Sequence, residues 1–143
     1  MSSFHDFNRN LIKDIREHGK ATSGPFLGKN VLILTTTGAR SGEGRENVVM
    51  YSQDDGRQVV VASKGGAPHH PSWYHNLKKH PIVTVEAGGE KFKARARAVD
   101  GEDYERLYRL HADPNPQFWE YRKKTTRRIP VVVLERMEPA KRA

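Results

Sequence analysis

The 143-residue chain contains no cysteine. Disulfides, thiolate metal sites and cysteine nucleophiles are thereby excluded, and a cytoplasmic setting is the simplest expectation. Long apolar runs are missing as well: Val31–Leu34 and Val131–Leu134, among the longest, fall far short of a membrane span. The opening residues Met1 to Asp6 lack a basic start followed by an apolar block, so no secretory leader is expected. Acidic residues are in deficit, with 17 Asp and Glu against 25 Lys and Arg and a formal net charge of +8. That excess favours an anionic partner: a nucleic acid, a membrane surface or a phosphorylated small molecule. Charge alone does not choose among them, so its placement has to.

What is present reads as one α+β domain over residues 1–143. Phe4, Phe7, Leu11, Ile12 and Ile15 recur at helical spacing, which makes residues 1–18 an amphipathic N-terminal helix stopped by Gly19. A helix packed on the domain is the plainer reading of that stripe. Peripheral membrane contact through the same face is the other, since a cationic helix with an apolar face also suits a lipid surface. Four β-rich segments follow, over residues 31–36, 47–52, 58–63 and 82–87. Asp54-Asp55-Gly56 and Gly88-Gly89 supply hairpin turns. In residues 90–99, Phe92, Ala94, Ala96 and Ala98 alternate with Lys91, Lys93, Arg95 and Arg97, giving one buried and one cationic face. Short helices are expected from Pro71 to His80, around Tyr104, Leu107, Tyr108 and His111, and from Pro116 to Thr126, where Phe118 and Tyr121 fall together. A last strand, residues 129–135, precedes a basic tail over residues 137–143. Short strands with irregular connections and no βα alternation point to a closed or partly closed antiparallel barrel.

Two loops carry the unusual chemistry. In Thr35-Thr36-Thr37-Gly38-Ala39-Arg40-Ser41-Gly42-Glu43-Gly44-Arg45-Glu46-Asn47, three glycines are interleaved with two arginines. Glycines let a backbone approach a ligand, and arginines present forked donors to phosphate or carboxylate. The Gly-Lys-Ser/Thr ending of a P-loop is missing. In Ala62-Ser63-Lys64-Gly65-Gly66-Ala67-Pro68-His69-His70-Pro71-Ser72-Trp73, a buried-looking strand runs into a turn able to lay peptide groups along the edge of a planar heterocycle. Trp73 either walls that ligand or is simply a core residue.

The ordered set Thr-Thr-Thr-Gly-x-Arg-Ser-Gly, Arg-x-Asn, Ala-Ser-Lys-Gly-Gly, Pro-Ser-Trp-Tyr-x-Asn-Leu and Arg127-Arg128-Ile129-Pro130-Val131-Val132 resembles the deazaflavin-dependent nitroreductase family of actinobacteria. The resemblance covers roughly Leu32 to Val133. It implies a split β-barrel of the FMN-binding type with short flanking helices, coenzyme F420 as cofactor, and hydride transfer to a quinone, nitroaromatic or enone acceptor. By that resemblance Arg40, Ser41 and Arg45 meet the cofactor's phosphate and tail, and Asn47 lies by the deazaflavin. Ala62, Ser63, Lys64, Gly65 and Gly66 form its edge contact, with Ser72 and Trp73 beside tail and ring. Asn115, Phe118 and Tyr121 correspond to the family's acceptor pocket, where only Tyr121 keeps a hydroxyl. Tyr121 and Ser63 are the candidates to hydrogen-bond a developing oxyanion. No catalytic triad is expected, because the cofactor carries the redox chemistry.

Three alternatives compete. His69, His70, His75 and His80 invite a metal, but their spacing does not stack two ligands on one helical turn, so no metal is expected. Lys91, Lys93, Arg95, Arg97, Arg122, Lys123, Lys124, Arg127 and Arg128 invite a nucleic acid; aromatics that would stack bases do not interleave with them, so none is expected. The same barrel also suits FMN, haem or a lipid. The expected partner is a small-molecule hydride acceptor; oligomeric state is open.

Overall fold

The computed structural model describes residues 3–137, with side chains from Phe7 onward. Residues 138–143, most of the expected basic tail, and the side chain of Phe4 lie outside what is described.

Two apolar faces, rather than one, are built into three of the strands. In β1 (Val31–Thr37), Leu32 and Leu34 point into a central core, while Val31 and Ile33 point the other way against α1 (Ser3–His18). In β4 (Arg57–Val61) and β7 (Val131–Arg136), Val60, Val132 and Leu134 join the central core. Val59, Val61, Val131 and Val133 face α3 (Gly101–Ala112) and α4 (Gln117–Lys124). Side chains alternate across a strand, so burial on both faces requires an unbroken apolar run, and that is what these strands carry. Each fully buried Leu or Val contributes about 1.5–3 kcal/mol.

Seven strands form one antiparallel sheet in the order β2-β1-β5-β6-β7-β4-β3. The remaining members are β2 (Gly44–Met50), β3 (Ser52–Asp54), β5 (Ile82–Ala87) and β6 (Glu90–Ala98). The sheet curls around the central core, and α2 (Ser72–Lys79) lays Trp73 and Leu77 across that core. This is the α+β split barrel with flanking helices that the resemblance implies.

The alternation expected for β6 is present: Ala94 and Ala96 are buried, and Lys91, Lys93, Arg95 and Arg97 are exposed. Several boundaries differ: β4 ends at Val61 instead of residue 63, β7 begins at Val131 instead of residue 129, and two further shifts have a clear local cause. The segment expected as one strand over residues 47–52 is split at Tyr51, whose N–H leaves the ladder to bond Asn30 O at 3.0 Å. Pro71 caps α2 from outside in an extended conformation instead of opening it.

On α1, Leu11, Ile12 and Ile15 are buried against β1, so the apolar stripe serves the core from Leu11 onward, and Phe7 stays 44% exposed. Arg16 pins the helix to two strands, donating to Glu86 at 2.8 and 2.9 Å and to Glu46 at 2.6 Å. Glu86 is held below the usual carboxylate range chiefly by that bond. No described helix is long and apolar enough to cross a membrane.

Candidate functional site

Strand parity places the cleft. Thr36 continues the inward row of Leu32 and Leu34, and across the ladder Arg45 and Asn47 continue the row of Val49. Where these rows turn from apolar to polar, the barrel opens beside the first turn of α2. The result is an open cleft of about 860 Å³ lined by Arg40, Ser41, Arg45, Asn47 and Ser72, together with Asn8, His75 and Asn76. Five of the residues expected at the cofactor are thus brought together. Asn8, His75 and Asn76 were not among them; only Asn76, in the Pro-Ser-Trp-Tyr-x-Asn-Leu run, carried a signal.

The β1–β2 loop is held from within and from α2. Gly38 N–H donates to Glu43 O at 2.7 Å, and Gly42 N–H to Gly38 O at 2.9 Å. A Cβ on Gly38 would come within 2.5 Å of Ser41 Oγ and 3.3 Å of Glu43 O, so a larger residue there would push the Ser41 side chain aside. Buried Asn76 accepts from Ala39 N–H at 2.9 Å and donates to Thr36 Oγ1 at 3.1 Å, and Lys79 donates to Ala39 O at 3.0 Å. The N–H groups of Arg40 and Ser41 have no acceptor among the described residues. Among the described residues exposed Arg40 has no partner either, and Arg45 has only exposed Glu43 at 3.5 Å and Ser41 Oγ at 3.4 Å. Free N–H groups beside two available guanidinium groups suit a phosphate or carboxylate.

Another groove, of about 640 Å³, adjoins the cleft between α1 and β2 and shares Asn8, Arg45 and Glu46 with it. Its Arg16 is already engaged by two carboxylates, so that guanidinium offers less to an anion.

The remaining cofactor candidates lie apart from the cleft lining. Ala62 is fully buried and Trp73 is 7% exposed, both in the central core. Ser63 leads into a 3-10 turn, Lys64–Gly66, in which Lys64 and Gly65 are exposed and all three residues have positive φ. A Cβ on Gly66 would meet Tyr121 O at 3.0 Å, so the turn packs directly on α4. Arg127 spans it from below, donating to Ser63 O at 2.7 Å, Ala67 O at 2.8 Å and Ala62 O at 3.3 Å, and to His70 Nδ1 at 2.8 Å. Because a guanidinium only donates, His70 Nδ1 must be the acceptor. Burial first, then Arg127 and His75, push the His70 pKa down.

On the acceptor side, half-buried Tyr121 stands edge-on to Phe118 at 5.2 Å. Phe118 is 7% exposed and edge-on to His111 at 4.4 Å. Asn115 donates to His111 O at 2.9 Å. His111 is fully buried, pairs through Nδ1 with Ser52 Oγ at 2.8 Å, and is pushed down to about 4 by burial. Among the described residues no group of three or more His, Asp or Glu is placed to hold a metal.

Known proteins resemble this chain over most of its length. An F420H(2)-dependent quinone reductase of Mycobacterium tuberculosis is 41% identical over 108 residues, 73% of this chain and 72% of its own length. The solved structure of an F420-H2 dependent reductase has a TM-score of 0.69 at 41% identity, over 74% of this chain and 94% of that one. A second, described as a domain-swapped dimer, has a TM-score of 0.72 at 38% identity, over 92% of this chain and 98% of that one. The family described as F420H(2)-dependent quinone reductase matches residues 7–136, and the chain belongs to that family.

Proposed function

We propose that the protein reduces a quinone-like small molecule with reduced coenzyme F420, the anionic tail of the cofactor lying on Arg40, Ser41 and Arg45. The observation that carries this placement is the coincidence, in one cleft, of two available guanidinium groups and two N–H groups without acceptors. When bound, the reduced deazaflavin supplies a hydride; everything else falls to the protein. Asn47 and Ser72 border the cleft where tail gives way to ring. Ser63 to Gly66 offers peptide groups to the ring edge, and Ala62 and Trp73 support that edge from the core. Asn115, Phe118 and Tyr121 select the acceptor, Phe118 from behind by fixing the Tyr121 ring. Tyr121 and Ser63 donate hydrogen bonds to the oxygen that gains charge as the acceptor takes up the hydride. A nitroaromatic or enone fits the same arrangement.

This reading keeps the protein in the cytoplasm, with a small molecule and not a nucleic acid as its partner. Membrane contact through α1 would rest on Phe7, because Leu11, Ile12 and Ile15 are committed to the core. Titration with F420 and with FMN, followed by turnover of F420H2 with a soluble naphthoquinone, tests the reading. Saturable binding of F420, weak binding of FMN and quinone-dependent oxidation are expected; tight FMN binding without F420 binding would sink it.

A further inference from the structure

Arg127 is half-buried, and burial lowers the pKa of its guanidinium, yet among the described residues it faces no carboxylate that would compensate the charge. Its nearest polar neighbours are instead three backbone carbonyls and one imidazole nitrogen, all from Ala62 to His70. Four bonds from one planar group to a stretch of nine residues fix the orientation of peptide planes, not merely the position of the chain. The turn needs such help, because Lys64 adopts φ +48 without being glycine, followed by Gly65 at +63 and Gly66 at +84.

The direction of the peptide groups is the consequence that matters. The carbonyls of Ala62, Ser63 and Ala67 are gathered onto the guanidinium. Ala62 and Ser63 N–H donate to Pro130 O and Val61 O, and Gly66 and Ala67 N–H donate to Ser63 O and Lys64 O. From Ala62 to Ala67 only the N–H groups of Lys64 and Gly65 have no acceptor among the described residues, and both residues are exposed; those of His69 and His70, beyond the turn, have none either. Arg127 also follows α4 directly, its own N–H bonded to Thr125 Oγ1 at 3.2 Å, while Gly66 packs on Tyr121. Turn and acceptor helix are therefore joined at one point.

We propose that Arg127 is a positioning residue that turns the Lys64 and Gly65 N–H groups toward the carbonyl edge of the deazaflavin and holds that edge at a set distance from Tyr121. The inference rests on the cofactor placement proposed above. It assigns Arg127 no contact with the cofactor.

The test is F420 binding and the absorption spectrum of the bound cofactor in Arg127→Ala, Arg127→Lys and wild type, with and without added guanidinium chloride at millimolar concentration. In Arg127→Ala the dissociation constant should rise about tenfold or more, since charge-assisted bonds to several carbonyls are lost together. The bound spectrum should move toward that of free F420, and guanidinium should restore both. Arg127→Lys should show the same loss, because one ammonium group does not reach carbonyls lying in three directions. Lysine behaving like arginine would overturn the proposal in favour of a charge effect. Weaker binding with an unmoved spectrum and no rescue would overturn it in favour of a stability effect. If Arg127→Ala does not fold, the lysine variant carries the decision. Wild-type binding with no spectral shift, and with no loss in Arg40→Ala/Arg45→Ala, would instead remove the cofactor placement and the proposal with it.

Discussion

Arg40 and Arg45 stand at the cleft with only weak contacts to the described residues, whereas Arg122 and Arg128, against the α3 face, each hold a carboxylate and lie over an aromatic ring. Arg122 binds Glu105 at 2.6 Å and lies 4.6 Å above the Tyr108 ring; Arg128 binds Asp100 at 2.7 Å and lies 3.9 Å from the Tyr104 ring centre. To take up a phosphate, the second pair would first have to leave a carboxylate and a ring. The first pair gives up water and two weak contacts of Arg45, to Glu43 and to Ser41 Oγ. A net charge of +8 is thus unevenly usable, and part of what is usable lies where free N–H groups also point. The same contrast weakens the nucleic-acid reading, since much of the basic cluster it relied on is occupied within the fold.

The sharpest test of the contrast is on the packed side, where stability and not affinity should respond. His111 is neutral in the fold with a pKa near 4 but protonates near 6.5 when unfolded. The unfolded chain therefore binds the extra proton between those values. Stability is complete above about pH 6.5 and falls as pH drops toward 4, by about 3 kcal/mol. Urea melts across that range should show the slope, and His111→Phe should flatten it; a wild-type curve already flat would contradict burial of a neutral imidazole. On the cleft side, Arg40→Ala/Arg45→Ala should raise the F420 dissociation constant about a hundredfold at low salt and reduce its salt dependence. Arg122→Ala/Arg128→Ala should leave that constant within about twofold while lowering the melting temperature. Equal losses from the two pairs would erase the distinction. Asn76→Ala should weaken F420 binding about tenfold through a loosened loop while keeping the salt dependence of wild type, which separates positioning from charge.

Much of this was legible in the residues. The alternation of Phe92 to Ala98, the Asp55-Gly56 turn with both residues at positive φ, and the helical face of Tyr104, Leu107, Tyr108 and His111 follow from local periodicity and backbone chemistry. The Gly/Arg loop announced an anion. The ties that shape the site were not legible. Asn76 reaches back to Thr36 and Ala39, and Arg127 reaches Ala62 to His70, across 40 and some 60 residues of sequence. Such bonds depend on how the sheet folds over, which no local window contains. The split at Tyr51 was hidden for the same reason: its N–H is claimed by Asn30, outside the strand.

Two-sided burial in β4 and β7 has a further consequence. When one face of a strand is apolar and the other polar, sliding it by one residue buries polar groups, and the mismatch itself forbids the slip. Val59-Val60-Val61 against Val131-Val132-Val133 offers no such penalty, because either face is equally content in either core. The correct alignment must be dictated from the rim: by Arg57 and Arg97 converging on Glu135 and by the Tyr104 hydroxyl on Ile129 O. The valines supply the adhesion of this sheet, and a handful of polar groups at its margin decide which of several nearly equivalent alignments is the native one.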